Sequence, residues 1–95
     1  MGYSKEIVFD KTPSEVLDYV VKWANWLGND VVSSDSWTVS AGITVDDSAG
    51  GSSPLRTVWL SGGTAGTTYT ITNEVVTTDG RTAARSFYIN VVDER

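Results

Sequence analysis

Between Leu55 and Val92 the chain reads LRTVWLSGGTAGTTYTITNEVVTTDGRTAARSFYINVV, and apolar and polar residues alternate along three stretches of it. Val58 and Leu60 alternate with Thr57, Trp59 and Ser61. Tyr69, Ile71, Asn73 and Val75 alternate with Thr70, Thr72, Glu74 and Val76. Phe87, Ile89 and Val91 alternate with Ser86, Tyr88 and Asn90. Successive side chains of a strand point to opposite faces, so a period of two predicts three half-buried strands. Asp79-Gly80, between the second and third, is a hairpin signal. The apolar pattern then selects the loop. A loop of Asp79-Gly80 alone would set Ile71 opposite Tyr88 and turn Phe87 to solvent. A loop of Thr78-Asp79-Gly80 pairs Thr77 with Arg81, Ile71 with Phe87, and Tyr69 with Ile89. A slip of one residue moves every side chain to the other face, so the longer loop is expected, with Gly80 left-handed in a bulge. Ser61-Gly62-Gly63-Thr64-Ala65-Gly66 makes a corner, and Tyr69 just beyond it is placed to return its hydroxyl to that corner.

The first half of the chain carries weaker versions of the same pattern. Ile7 and Phe9 share one side of a first run and Val8 the other, so residues 1–12 are read as an N-terminal edge strand or arm. Thr12-Pro13 closes it, because proline cannot donate to a ladder. From Val16 to Trp23, Leu17, Tyr19, Val21 and Trp23 fall on one face, with Asp18, Val20 and Lys22 on the other. Ser14 could cap a helix here, but the alternation favours a strand. Ala24 to Asp30 is a corner with room for one helical turn ended by Gly28. Val31 to Val39 is a strand whose polar centre, Ser33-Ser34-Asp35-Ser36, predicts a bulge. Ile43 and Val45 form a short strand. Asp46 to Ser53, DDSAGGSS, is expected to be a flexible loop, and Pro54 opens the next strand.

Seven short strands with turn signals every roughly 8–12 residues predict an all-β, seven-stranded immunoglobulin-like sandwich. With 95 residues the chain is one domain, 1–95. A tryptophan on the third strand is the core plug of such a sandwich, so Trp37 is expected there, with Trp23 beside it. The full inward set is Ile7, Phe9, Leu17, Tyr19, Val21, Trp23, Trp37, Val39, Ile43, Val45, Val58, Leu60, Tyr69, Ile71, Phe87, Ile89 and Val91. Structural weight is assigned to Trp23, Trp37, Tyr69 and Gly80.

Composition narrows the chemistry. Cysteine and histidine are absent, which removes disulfides, thiolate metal sites and the commonest general base and metal ligand. No serine has a partner to activate it, and the lysines lack a Ser-x-x-Lys context. Gly66 is followed by Thr67 where a phosphate loop needs lysine. The carboxylate pairs Asp46-Asp47 and Asp93-Glu94 read as solvated charge, and the spacing after Asp46 is not that of a calcium loop. No catalytic residue, metal site or cofactor is therefore assigned. A net charge of −5 argues against nucleic acid, no apolar run is long enough for a membrane span, and no signal peptide is expected at Met1. What remains is surface. Trp59 and Tyr88 fall on outward positions of different sheets, Trp26 stands in the corner after the second strand, and Ile7 lies in the arm. These four are the candidate protein contacts.

The segments LDYVVKWANWLGND, SSDSWTVSAGIT and TVWLSGGTAGTTYTITNEVVTTDGRTAARSFYINV resemble a family of small immunoglobulin-like proteins found among the virion structural proteins of tailed bacteriophages. The similarity spans residues 16–92. VWLSGG, TAGT, the following Tyr and Asn, and DGRT are its most specific parts. Val20, Lys22 and the length of DDSAGGSS depart from it. The resemblance implies a non-enzymatic virion component, a fibre–tail adaptor or a capsid decoration protein, present in many copies and docked on tail, fibre, neck or capsid proteins. It brings no catalytic residues with it. The competing reading is a free module that binds carbohydrate or a cell surface through an exposed aromatic such as Trp26.

Overall fold

A computed structural model of the chain describes residues 7–51 and 53–95. The elements in order are β1 (Val8–Lys11), β2 (Leu17–Lys22), α1 (Ala24–Leu27), β3 (Val32–Val39), β4 (Ile43–Ala49), β5 (Leu55–Gly62), β6 (Thr68–Thr77) and β7 (Thr82–Val91). They form two sheets, one of order β1-β7-β6-β3 and one of order β2-β5-β4. β1 runs parallel to β7, and the remaining pairings are antiparallel.

The inner faces of the sheets meet over a common core. Tyr19, Ile43, Val58 and Leu60 come from the three-stranded sheet, and Tyr69, Ile71, Phe87, Ile89 and Val91 from the other. A second cluster of Trp23, Leu27, Val32 and Val75 fills the end of the molecule where the chain crosses between sheets. The crossing is α1, a single turn ended by Gly28 at φ 61°. At this corner Trp23, Leu27 and Val32 are buried while Ala24 and Asn25 are exposed, so the turn buries one side only.

The β6–β7 hairpin has the predicted register, with Ile71 opposite Phe87 and Tyr69 opposite Ile89. Thr77 N–H donates to Arg81 O, and Gly80 N–H donates to Thr77 O. Gly80 has φ 89°, and an added Cβ there would meet nothing within 4 Å. The cost of a side chain at this position is therefore backbone strain alone. Gly80→Val is expected to destabilise by about 1–2 kcal/mol, read as a lower urea midpoint at unchanged slope. In the corner before β6, Thr64 N–H donates to the Tyr69 hydroxyl at 2.8 Å. Gly63 (φ 96°) lies so close to this ring and to Val91 that an added Cβ would stand 2.7 Å from Val91 Cγ2, which explains the glycine.

Three expectations need correction. Ile7 is not in the core but 51% exposed, because it precedes β1 at the open side of the sheet. Trp37 is half-buried, since β3 is the outer strand of its sheet. The fully enclosed tryptophan is Trp23, at 1% exposure. The segment 46–53 is strand as far as Ala49, with a register shift between Val45 and Asp47 that takes up the extra residue. Of the loop that follows, Gly51 O and Ser53 O both accept hydrogen bonds from Arg56.

Arg56 also explains how the two sheets are pinned. Its guanidinium makes a two-point contact with Asp35 of β3, Nη2 to Oδ1 at 2.8 Å and Nε to Oδ2 at 3.1 Å. Asn73 Nδ2 donates to the same carboxylate, and Asn73 Oδ1 accepts from Trp23 Nε1 at 2.9 Å. Arg56 and Asn73 are buried. Along β6, Asn73 lies between Ile71 of the main core and Val75 of the second cluster, so this polar network separates the two. Each buried group in it has a partner, the condition under which such a network rigidifies a core.

Candidate docking surfaces

The first surface is the β1 edge. β1 is bonded on one side only, to β7, and Ile7, Val8 and Phe9 are 51%, 53% and 41% exposed. Phe9 covers the mouth between the sheets, its ring centroid 5.1 Å from that of Tyr19 and 5.8 Å from that of Phe87. Two anchors hold this short strand. Lys11, two residues on from Phe9 and therefore on the same side, is fully buried. Its Nζ donates to Thr12 O and Gly62 O at 2.8 and 2.6 Å. Burial pulls the Lys11 pKa down, against the opposing charges of Glu15 and Asp46. Beyond it, Glu15 accepts from Thr12 N–H and from the Arg95 guanidinium. The Arg95 hydrogen bond, and then that from Thr12 N–H, hold the Glu15 carboxyl at a pKa of about 2. An exposed apolar edge is thus presented on a tethered strand.

Tyr88 is the register partner of Val8 and of Thr70. It is half-buried on the outer face of the four-stranded sheet. On the same face Thr72 and Ser86 are hydrogen-bonded across the strands at 2.8 Å, and Val8 and Val76 are 53% and 37% exposed. Trp59 lies on the opposite outer face, half-buried, with Asp18 and Asp47 as its register partners on β2 and β4. Val20 and Leu55, which that register places along the same face, are 46% and 45% exposed. Their exposure could not be read from alternation alone, which says only that they face away from the core.

Trp26 is not an open platform. Its ring meets Trp23 edge-on at 5.2 Å, and the Arg81 guanidinium sits 4.3 Å from its centroid. Arg81 comes from the β6–β7 hairpin. It donates to Leu27 O and to Asp30 Oδ2, while Thr78 and the Asp79 N–H donate to Asp30 Oδ1. Burial would raise the Asp30 pKa, but the hydrogen bonds around it win and leave it lowered. The DGRT segment is therefore a clasp between the hairpin tip and α1. Sequence reading assigned a role to its glycine and missed that of its arginine.

Among the described residues no three acidic side chains gather as a metal site, and no helix is long and apolar enough to cross a membrane. Chelation with EDTA is expected to leave the melting temperature unchanged. A clear fall would restore Asp46 and Asp47 as calcium ligands.

The molecule is an all-β module of two facing sheets, whose buried polar side chains hold its own sheets, corner and loops together. Residues 11–90 match the family described as Podophage GP4 fiber-tail adaptor protein gp77, and the chain belongs to that family of phage virion structural proteins. No curated protein matches it. The matched stretch begins at Lys11, so the exposed Ile7, Val8 and Phe9 lie just outside it.

Proposed function

We propose that this protein is an immunoglobulin-like module that joins tail and fibre proteins in the virion and performs no catalytic step. The family match carries the adaptor reading. The immunoglobulin-like reading is supported by the strand order β1-β7-β6-β3 against β2-β5-β4, with the first strand parallel to the last. The Tyr69 hydroxyl bonded back to its corner adds to it. A capsid decoration role shares the fold but not the family's description. The carbohydrate-binding alternative is weakened at its best residue, since the Arg81 guanidinium lies 4.3 Å from the Trp26 ring centroid and Trp23 meets that ring edge-on.

Docking runs through the β1 edge. Its free backbone groups can extend into a partner strand, and Ile7 and Val8 supply apolar contact. The arm that precedes it, Met1 to Glu6, lies outside the described residues. Many copies in a symmetric particle would add weak single contacts through avidity. The test uses particles assembled with an Ile7→Glu/Val8→Glu variant and with a chain lacking residues 1–6. Both should fold, by far-UV circular dichroism, and both should be incorporated at least tenfold less than wild type. Folded variants present at normal copy number would exclude this edge.

A further inference from the structure

We propose that the outer face of the three-stranded sheet docks an arginine- or lysine-bearing segment of another virion protein, with the cation received by Trp59 between Asp18 and Asp47. This goes beyond the β1 edge and rests on the adaptor reading above. The register places Asp18 and Asp47 directly opposite Trp59 on its two neighbouring strands. Asp46 is the extra residue of the register shift beside it, and it accepts a hydrogen bond from Ser61 Oγ. All three carboxylates are exposed, and none takes part in an ion pair among the described residues.

The chain's four arginines are committed elsewhere. Arg56, Arg81 and Arg95 are in ion pairs, and Arg85 lies 4.3 Å over Trp23 while donating to Lys22 O. Those are all four arginines. Two of them, Arg85 and Arg81, cover the rings of Trp23 and Trp26, and Trp37 stacks edge-on to Phe87. Trp59 alone among the tryptophans has neither an aromatic nor a cationic neighbour among the described residues. A cation over an indole ring is attracted by the ring's quadrupole, and carboxylates on both sides add charge-assisted hydrogen bonds. The exposed Val20 and Leu55 provide the apolar floor that a docking segment needs around its charged anchor.

The occupant is a different protein rather than a second copy. Each face carries three carboxylates against the single Lys22, which stands opposite Leu55, four residues along β2 from Asp18. Two such faces brought together would bury an excess of like charge.

The experiment loads purified protein onto particles made without it and counts bound copies at a fixed concentration. Variants are Trp59→Ala, Trp59→Leu (which keeps an apolar cover) and Asp18→Asn/Asp47→Asn, each checked for an unchanged melting temperature. The expected result is at least a tenfold loss of occupancy for each variant. Occupancy of the wild type should fall as salt is raised from about 0.1 to about 0.5 M, with a flatter response for the Asp18→Asn/Asp47→Asn variant. Occupancy within twofold of wild type for the folded variants would overturn the inference. So would a wild-type dimer in sedimentation that Trp59→Ala dissolves, which would make a second copy the occupant. If wild type itself fails to load, the adaptor reading fails as well. If only the β1 variants fail to load, that reading stands and this face is excluded.

Discussion

Replacing Trp23 by alanine is expected to lower the unfolding free energy by about 3–5 kcal/mol, the range for deleting a large buried aromatic side chain. The side chain is 1% exposed. It packs edge-on to Trp26 at 5.2 Å and lies under the Arg85 guanidinium at 4.3 Å. Its indole N–H donates to Asn73 Oδ1. Truncation therefore removes packing atoms and also strands an acceptor inside the protein, a cost added to the cavity. Trp37→Ala is the control. That ring is half-buried on an outer strand and meets Phe87 at 6.5 Å, so its loss should cost clearly less. Urea denaturation at pH 7 separates the two. A larger loss for Trp37→Ala would reverse the assignment of the central tryptophan.

Arg56→Ala should destabilise by a similar amount, about 3–5 kcal/mol, because removing one partner of a buried ion pair leaves the other uncompensated. Here the stranded group is Asp35, whose side chain is 14% exposed and which also accepts from Asn73. The loop between β4 and β5 would lose its tie to Arg56 at Gly51 and Ser53 as well. Replacing both charges, Arg56→Met with Asp35→Leu, should recover much of the loss.

The pH dependence gives an independent check on the same pair. Burial acts to raise the Asp35 pKa, but hydrogen bonds from Arg56 and Asn73 and the Arg56 charge outweigh it, and the net shift is downward. A carboxylate with a lowered folded pKa contributes stability above its unfolded value, about 4, and loses it as pH falls through the folded value. Glu15, held at about 2 by Arg95 and Thr12, adds to this acid loss between about pH 4 and pH 2. In Arg56→Ala, protonation of Asp35 relieves the stranded charge. The stability gap between wild type and variant should therefore narrow toward acid pH. A gap that stays constant from pH 7 to about pH 3 would show that Asp35 does not carry the effect.

How far the sequence reached depends on what kind of information each feature needs. The β6–β7 hairpin was legible because alternation and Asp79-Gly80 constrain the same register from two sides. The buried polar residues were not. Lys11, Arg56 and Asn73 each lie two residues from an inward apolar position, namely Phe9, Val58 and Ile71, so alternation already placed them inside. Their charge or polarity argued for the surface, and only the spatial partners, Gly62 O, Asp35 and Trp23, make their burial tolerable. Of the two tryptophans expected in the core, Trp37 is the less enclosed for a related reason. Enclosure depends on strand order, and β3 lies at the end of its sheet. Asp46 and Asp47 resembled a loop because a register shift in a strand has no signature distinct from a polar turn. The candidate surfaces were legible as parity, Trp59 and Tyr88 facing away from the core on opposite sheets. That Trp59 has no aromatic or cationic neighbour among the described residues depends on where the four arginines lie in space, which alternation does not encode.

Cross-linking mass spectrometry on purified particles tests the central claim, that this module joins tail to fibre, most directly. The account predicts cross-links from this chain to a tail protein and to a fibre protein in the same preparation. Cross-links confined to the capsid, or the absence of this protein from purified particles, would contradict it.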